Sequence, residues 1–484
     1  MPAIANVKPL SRSERNRKPP PRREIPNQGE LVRLFQKYDI QAPRYTSYPP
    51  ATEFSRAFDS SSYADHIVRV TRESPDQEIS IYVHLPFCDT LCYFCGCTMV
   101  ISNNREKIAE YIEYLKREIT LTAELLENDP VVVQMHWGGG SPTHLLPHEI
   151  EDLGTHIRNT FHFSPEAEVS IEIDPRGLTE DHIRAMRTVG FNRASVGVQD
   201  FNDDVQVAVN RVQPRSMTEQ VIGWCREAGM SSINLDLIYG LPYQTTETFK
   251  NTLDIIREIS PDRIAVYNFA HVPWIKPHQN LIQIETLPVA STKLALLELT
   301  VQELSHGGYE YLGMDHFAKP EDTLVEAQRT QTLHRNFQGY STLGGKDLFG
   351  FGISAIGRIE QAFAQNVKEL PDYYRMIEAE RLPIERGYTL NADDQLREHV
   401  IMQLMCNLRV EKSEIERLYE IDFDEYFASS LQGLRSLESD GLCKLEPDAI
   451  TVTDLGRFFL RNIAVQFDAY IAKAAGQKVF SRAV

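Results

Sequence analysis

Several things are scarce in this chain, and each scarcity removes a class of protein. No apolar run approaches the roughly 20 residues needed to cross a bilayer. The N-terminus also lacks the apolar middle of a secretory signal. A cytoplasmic enzyme with reduced thiols is therefore expected. Positive charge is in deficit, with a formal net charge of -18. Nucleic acid or an anionic membrane surface would require a dominant basic face, so neither is an expected partner. An anionic substrate would have to be held by local arginines, lysines or backbone amides. A second C-x2-C pair is missing too: Cys225, Cys406 and Cys443 are isolated. That argues against a structural zinc, which usually closes with two such pairs.

What is present is concentrated in one stretch. Tyr82-Val-His-Leu-Pro-Phe-Cys-Asp-Thr-Leu-Cys-Tyr-Phe-Cys-Gly-Cys97 carries four of the seven cysteines just after a strand-like run. Cys88, Cys92 and Cys95 follow a C-x3-C-x2-C spacing, and Cys97 comes one residue later. Three thiolates on a short loop can converge on one inorganic centre, whereas cysteines one residue apart rarely share a tetrahedron. A 4Fe-4S cube held by Cys88, Cys92 and Cys95 leaves one iron open to an exogenous ligand. Zinc and a redox disulfide remain the alternatives.

Along the chain, 42% hydrophobic and 24% charged residues in 484 fit a globular enzyme of two or three domains. Residues 1–28, with Arg12, Arg15, Arg17, Lys18, Arg22 and Arg23 around a proline run, read as a disordered basic tail. A transit peptide is the weaker option, because Glu14 and Glu24 are acidic. Residues 29–62 hold a short amphipathic helix and the extended segment Ala42-Pro-Arg-Tyr-Thr-Ser-Tyr-Pro-Pro50. That segment is either a flap over a site or a strap that only packs.

From Ile79 a strand–helix alternation sets in. Strands are expected at Ile79–Leu85, Val131–Trp137, Glu168–Asp174, Arg193–Gln199, Ser232–Tyr239 and Arg263–Phe269. Six such units make a parallel α/β sheet, open or curled, with its site at the strand C-termini. The cysteine loop, Trp137-Gly-Gly-Gly-Ser-Pro142, Glu172, Asp174, Gln199, Asp200 and Asp236 all fall at that edge or near it. Glycines there let backbone amides approach a polar ligand. Asp236, inside an apolar strand, needs a ligand hydroxyl, an ammonium group or a salt bridge to a neighbour such as Arg211. His316 and His334 have no metal-binding spacing and read as ordinary hydrogen-bonded histidines. Gly344–Ile356 is either a wall against a flat ligand or a packed turn. Helices are expected at Ala392–Asn407, Ser413–Tyr419, Asp424–Ser439 and Leu455–Ala475, with a hairpin at Lys444–Thr453. This is a winged-helix-like arrangement with no basic stripe.

C-x3-C-x2-C with an aromatic before its third cysteine resembles the radical S-adenosylmethionine (SAM) superfamily. That resemblance implies a cluster that passes an electron to bound SAM, releasing methionine and a 5'-deoxyadenosyl radical. Four further motifs make the chain similar to the bacterial oxygen-independent coproporphyrinogen III oxidase (coproporphyrinogen dehydrogenase) family. They are Pro43-Arg-Tyr-Thr-Ser-Tyr-Pro49, the whole cysteine stretch, Gly313-Met-Asp-His-Phe-Ala318 and His334-Arg-Asn-Phe-Gln-Gly-Tyr340. The resemblance runs from about Tyr38 to the C-terminal Phe480-Ser-Arg.

It implies a partial (β/α)6 radical SAM barrel at 63–390 with an N-terminal flap, and a mostly helical, winged-helix-like domain at 391–484. Cys88, Cys92 and Cys95 would ligate the cluster, and Cys97 would stand by. Tyr82, Phe94, Gly139, Gly140, Ser141, Glu172, Gln199, Arg211, Asp236, Ala270 and Ile356 would contact SAM, two molecules of which would share the site. Ser141 replaces the commoner threonine and Tyr267 a phenylalanine. Tyr82, Arg44 and Gln338 are the expected catalytic and substrate contacts. The implied reaction converts two propionates of coproporphyrinogen III to vinyl groups, giving protoporphyrinogen IX. A flavodoxin or ferredoxin system would donate electrons to a monomeric enzyme. The rivals are a haem chaperone, which usually lacks the fourth cysteine and the Arg-Tyr-Thr-Ser-Tyr-Pro segment, and a colourless structural zinc domain.

Overall fold

The computed structural model describes residues 28–74, 76–471 and 480. All but the last residue of the basic stretch 1–28 lies outside the described residues, as does the end of the expected final helix. Six parallel strands form where the β-branched and aromatic runs predict them. They are β1 (Glu78–Leu85), β2 (Val131–Gly139), β3 (His162–Ile173), β4 (Arg193–Gln199), β5 (Ser232–Tyr239) and β6 (Arg263–Asn268). Each pairs with the next in parallel. Helices follow every strand, as right-handed crossovers require: Arg105–Ala123, Pro147–Thr160, Glu180–Val189, Arg215–Glu227, Thr246–Ile259 and Ala290–His306. This matches the partial barrel that the resemblance implies. The third strand begins at His162 rather than Glu168.

The sheet extends past these six units on both sides. Beyond β6 come the short antiparallel strands β7 (Glu310–Gly313) and β8 (His316–Ala318), with β8 next to β6. On the other side β9 (Asp347–Phe351) pairs with β1 in parallel. β10 (Ile356–Ile359), β11 (Ala362–Asn366) and β12 (Ile384–Thr389) continue it antiparallel. The glycine-rich run Gly344–Ile356 is thus neither wall nor turn alone, since it contains a strand. Gly350 and Gly357 sit where β9 and β10 come so close that a methyl group at either would press on backbone at about 2.9 Å.

Along β1 to β6 the side chains alternate with the two-residue period of a strand. Ile79, Ile81, Val83 and Leu85 join Ile108, Tyr111, Ile112 and Leu115 of the following helix in the main core. The intervening residues face inward and are polar. Ser80 Oγ donates to Gln134 Oε1 at 3.5 Å, and Gln134 Nε2 to Glu168 Oε1 at 3.0 Å. Asp236, which the sequence places inside an apolar strand, belongs to this hydrophilic inner lining.

A second core lies between the N- and C-terminal segments. It combines Leu31, Leu34, Tyr45 and Tyr48 with Leu396, Val400, Leu404, Phe423, Phe459, Ile463 and Phe467. The C-terminal helices Ala392–Met402, Lys412–Tyr419 and Ala428–Ser439 flank a three-stranded antiparallel wing. The hairpin Cys443–Leu445/Ala449–Val452 forms as expected, and Arg409–Glu411 adds an edge strand. The expected continuous helix from Leu455 is broken into Gly456–Phe459, Leu460–Ala464 and Val465–Phe467. Its side chains instead hold the N-terminal segment, Arg461 Nε donating to Pro43 O at 3.0 Å and Asn462 Nδ2 to Tyr38 O at 2.8 Å. Among the described residues no helix is long and apolar enough to cross a membrane.

Glu118 shows how tightly the junction with β9 is set. Its buried carboxylate accepts from Gly352 N–H at 2.7 Å, Asn366 Nδ2 at 2.6 Å and Tyr373 Oη at 2.6 Å. Burial nevertheless raises its pKa to about 7. Because the folded value lies above the ordinary carboxylate range, its contribution to stability is whole below about pH 4.5 and is lost as pH rises through about 7. Glu118→Gln should turn an amide N–H onto one of these donors and cost about 1–3 kcal/mol. Thermal unfolding followed by circular dichroism should show a lower Tm at pH 6, without the wild-type decline through about pH 7.

Candidate active site

The C-terminal ends of β1 and β2 are joined beyond the strands proper. Gly140 N–H donates to Leu85 O at 2.9 Å and Ser141 N–H to Phe87 O at 2.9 Å, so the glycine loop rests on the start of the cysteine loop. A Cβ at Gly140 would stand 2.3 Å from Pro86 O, and one at Gly138 would stand 2.9 Å from the Glu172 carboxylate. Only glycine permits this approach. Cys88 leaves through a two-residue bridge to Val100–Ile101.

Among the described residues no three His, Cys, Asp or Glu side chains close on a single-ion centre. The corners of a cube stand farther apart than the ligands of one tetrahedral ion, so a spread of this kind fits a cluster. Two guanidinium groups also reach into the cysteine loop. Arg176 Nη2 donates to Cys92 Sγ at 3.3 Å and Arg211 Nη1 does so at 3.7 Å. Arg211 Nη1 also meets Asp174 Oδ2 at 3.1 Å, and Arg176 Nη2 meets the same oxygen at 2.6 Å. Burial opposes the Asp174 charge, but Arg211 and Arg176 outweigh it and hold its pKa low. A hydrogen bond from the Cys97 thiol, aided by the Cys97 N–H, lowers Cys95 to about 7. Burial, with Cys95 and Cys92 nearby, pushes Cys88 up to about 12. The donor set fits an iron–sulfur cluster.

Around this loop the inner lining brings most of the expected residues together. Tyr82 Oη donates to His84 Nδ1 at 3.1 Å, while His84 Nε2–H meets Thr98 O at 2.9 Å. These bonds select one neutral tautomer of His84, and burial lowers its pKa. The Tyr82 ring stacks on His136 with centroids 6.0 Å apart. Glu172 accepts from Gly139 N–H at 3.1 Å and lies 3.5 Å from His136 Nε2. Asp236 accepts from Ser195 Oγ and Asn234 Nδ2, each at 2.9 Å. Its expected alternative partner, Arg211, is engaged elsewhere, and burial raises Asp236 to about 6. Gln199 ends β4 in a left-handed conformation, φ 68°.

Phe94 packs with Val205, Leu241 and Phe269. Ala270 is exposed just past β6, and Ile356 opens β10, farther along the sheet. Arg44 lies on the N-terminal segment and pairs with Asp315. Gln338 occupies the turn between His334–Asn336 and Gly339–Ser341. Arg461 grips the carbonyls of Ala42 and Pro43, the latter at 3.0 Å, and so places Arg44. Segment Ala42–Pro50 is therefore a packed strap whose Tyr45 and Tyr48 are buried while its arginine turns toward the barrel.

The sequence reading missed Arg176, His84, Asp315 and Arg461. Arg176 carried a readable signal, two residues after Asp174 at a strand end. Arg461 carried none, since its partners are backbone atoms distant in sequence.

Comparison with known proteins gives consistent findings. Residues 82–256 match the model of the radical SAM superfamily, and 390–459 match the HemN C-terminal domain. The chain is 45% identical over 456 residues to an oxygen-independent coproporphyrinogen III oxidase of Synechocystis sp., covering 93% of this chain and 97% of that one. It is 44% identical over 451 residues to the Escherichia coli protein of that name, covering 93% and 98%. The solved structure of coproporphyrinogen III oxidase (HemN) from Escherichia coli, described as a radical SAM enzyme, superposes with a TM-score of 0.86 at 43% identity. That match covers 91% of this chain and 98% of that one.

Gly140→Ala should force the cysteine loop away from Pro86, costing about 1–3 kcal/mol as overpacking does. Hydrogen exchange of the Leu85–Ile101 amides should quicken, with the helical core unchanged.

Proposed function

This chain belongs to the oxygen-independent coproporphyrinogen III oxidase family, and from that premise we propose how its residues carry the reaction. The enzyme removes two propionate carboxyls from coproporphyrinogen III as carbon dioxide and leaves vinyl groups, each propionate also giving up one hydrogen atom and one electron, the latter to an electron acceptor, so that protoporphyrinogen IX results. The joined cysteine and glycine loops at the ends of β1 and β2 are the observation that supports this reading most directly, because they put the cysteine sulfurs beside a stretch of backbone that carries no side chains.

In our reading Cys88, Cys92 and Cys95 hold a 4Fe-4S cluster, and Cys97 is a neighbour and not a ligand. When bound, the cluster and SAM together supply an electron and a carbon-centred abstraction of hydrogen. The chain's residues do the rest. The bare backbone of Gly139 and Gly140, with the Ser141 hydroxyl, takes the amino end of SAM, and Glu172 accepts from its ammonium. Asp236 offers its carboxylate to ribose hydroxyls, already oriented by Ser195 and Asn234. Tyr82, Phe94, Gln199, Arg211, Ala270 and Ile356 complete the contacts for two SAM molecules. Arg44 and Gln338 meet the tetrapyrrole. The inner barrel keeps the reacting carbon apart from solvent and from other weak C–H bonds, which limits side reactions.

We further propose a cytoplasmic monomer reduced by a flavodoxin- or ferredoxin-type donor. We place its domain divisions near 28, 62 and 390.

Anaerobic incubation of reconstituted protein with SAM, a reductant and coproporphyrinogen III should yield protoporphyrinogen IX and 5'-deoxyadenosine. Haem binding without decarboxylation would favour the chaperone instead. Cys88→Ser should lose the brown iron–sulfur absorbance, whereas Cys97→Ser should keep it. The Arg44→Ala, Gln338→Ala double variant should lower kcat/KM by about tenfold or more, as loss of buried polar contacts does. Unchanged activity would remove both residues from the site.

A further inference from the structure

An arc of three rings runs from the strap to the hairpin His334–Ser341. The Arg44 guanidinium lies 5.9 Å from the Tyr267 ring. Tyr267 meets His316 edge-on at 6.0 Å, and His316 meets Tyr340 at 5.0 Å. The Arg335 guanidinium closes the series 5.0 Å from Tyr340. Two cations therefore flank one aromatic arc.

Their situations differ. Arg44 has Asp315 as a counter-ion. Arg335 is only 8% exposed, and its Nε and Nη1 have no hydrogen-bond partner among the described residues. No carboxylate pairs with it there either. Nearby, His316 Nδ1 and Gln338 Nε2 are also buried without partners. Burial lowers the His316 pKa, and Arg335, Arg44 and Arg263 lower it further, so its ring stays neutral. The groups facing it are cations and phenols, with Asp315 already taken by Arg44. An unpaired buried guanidinium is strongly destabilising unless an anion answers it. Several unpaired groups around one arc are what a ligand of opposite charge would satisfy together.

Building on the function proposed above, we propose that Arg335, with Arg44 beside it, is the anchor for a propionate carboxylate of the tetrapyrrole, specifically one that the reaction leaves in place. A bidentate guanidinium matches a carboxylate in shape and charge. The arc, whose rings meet edge to face, offers aromatic surface to a pyrrole edge. The choice between retained and departing propionates follows from charge. A carboxylate that leaves as neutral carbon dioxide must give up its negative charge, and a tight ion pair would stabilise it against leaving. The anchored propionate is therefore one that survives into the product. The methionine end of SAM carries the same functional group, so the test must separate the two sources.

Binding to anaerobically reconstituted holoenzyme, measured by titration calorimetry, separates them. The probes are protoporphyrinogen IX, its dimethyl ester and SAM. Wild type should bind the free acid more tightly than the diester. Arg335→Gln should weaken the free acid by about thirtyfold or more, the usual loss when one partner of a buried charge pair is removed. It should barely alter the diester and should leave SAM unchanged. Arg335→Lys should recover part of the loss, and iron content and Tm serve as controls for folding. Equal affinity of wild type and Arg335→Gln for protoporphyrinogen IX would overturn the assignment, since that product holds only retained carboxylates. Loss of SAM binding with the tetrapyrrole unaffected would overturn it as well. If Arg335→Gln does not fold, wild-type discrimination between acid and diester and its reduction in Arg335→Lys decide the question. No discrimination overturns the anchor. A wild type that binds no tetrapyrrole at all defeats the functional reading itself and the anchor with it.

Discussion

Two backbone hydrogen bonds beyond the ends of β1 and β2 carry the site. With Gly140 bonded to Leu85 and Ser141 to Phe87, the ladder outlasts the strands and fixes one loop on the other. Everything chemical is then referred to that junction. Cys88 is set by its departure from it, and Glu172 by its acceptance from Gly139. A ladder of this kind is cooperative, because each bond presents the next donor in register. The tolerance at the junction is small, since the approach of Gly140 to Pro86 leaves no room for a methyl group.

The inner lining depends on the same regularity. Strand alternation sends every second residue of β1 to β6 inward, so a single parallel sheet has an apolar outer face for its helices and a polar inner face for ligands. Polar groups there satisfy one another across strands, as Ser195 and Asn234 do for Asp236. This is why carboxylates are tolerated in a deep location. Their hydrogen bonds are prearranged, and ligand groups can enter the arrangement without large movement.

The C-terminal segment contributes by position. Its last helical turns hold the strap through Arg461 at Pro43, Tyr45 at Asp468 and Tyr48 at Ala469. Tyr340 of the hairpin bonds Met405 at 2.9 Å. Both arginines of the aromatic arc are thus supported from outside the barrel. A segment distant from the cysteine loop helps set where the cations stand.

By itself the sequence determined the local and periodic features. The six strands, their helices and the cysteine spacing were legible because each rests on neighbours a few residues apart. The motifs that resemble a known family pointed to candidate residues at the strand ends. Tertiary structure alone decided three things. It made β9, inside a glycine-rich run, a parallel partner of β1, a pairing set by close backbone approach and not by side-chain pattern. It sent Arg211 to Asp174 and Cys92 instead of Asp236, because register, not sequence distance, chooses an ion pair. It also left Arg335 buried without a counter-ion among the described residues. That state is invisible in sequence, since solvation depends on every element packed around a group.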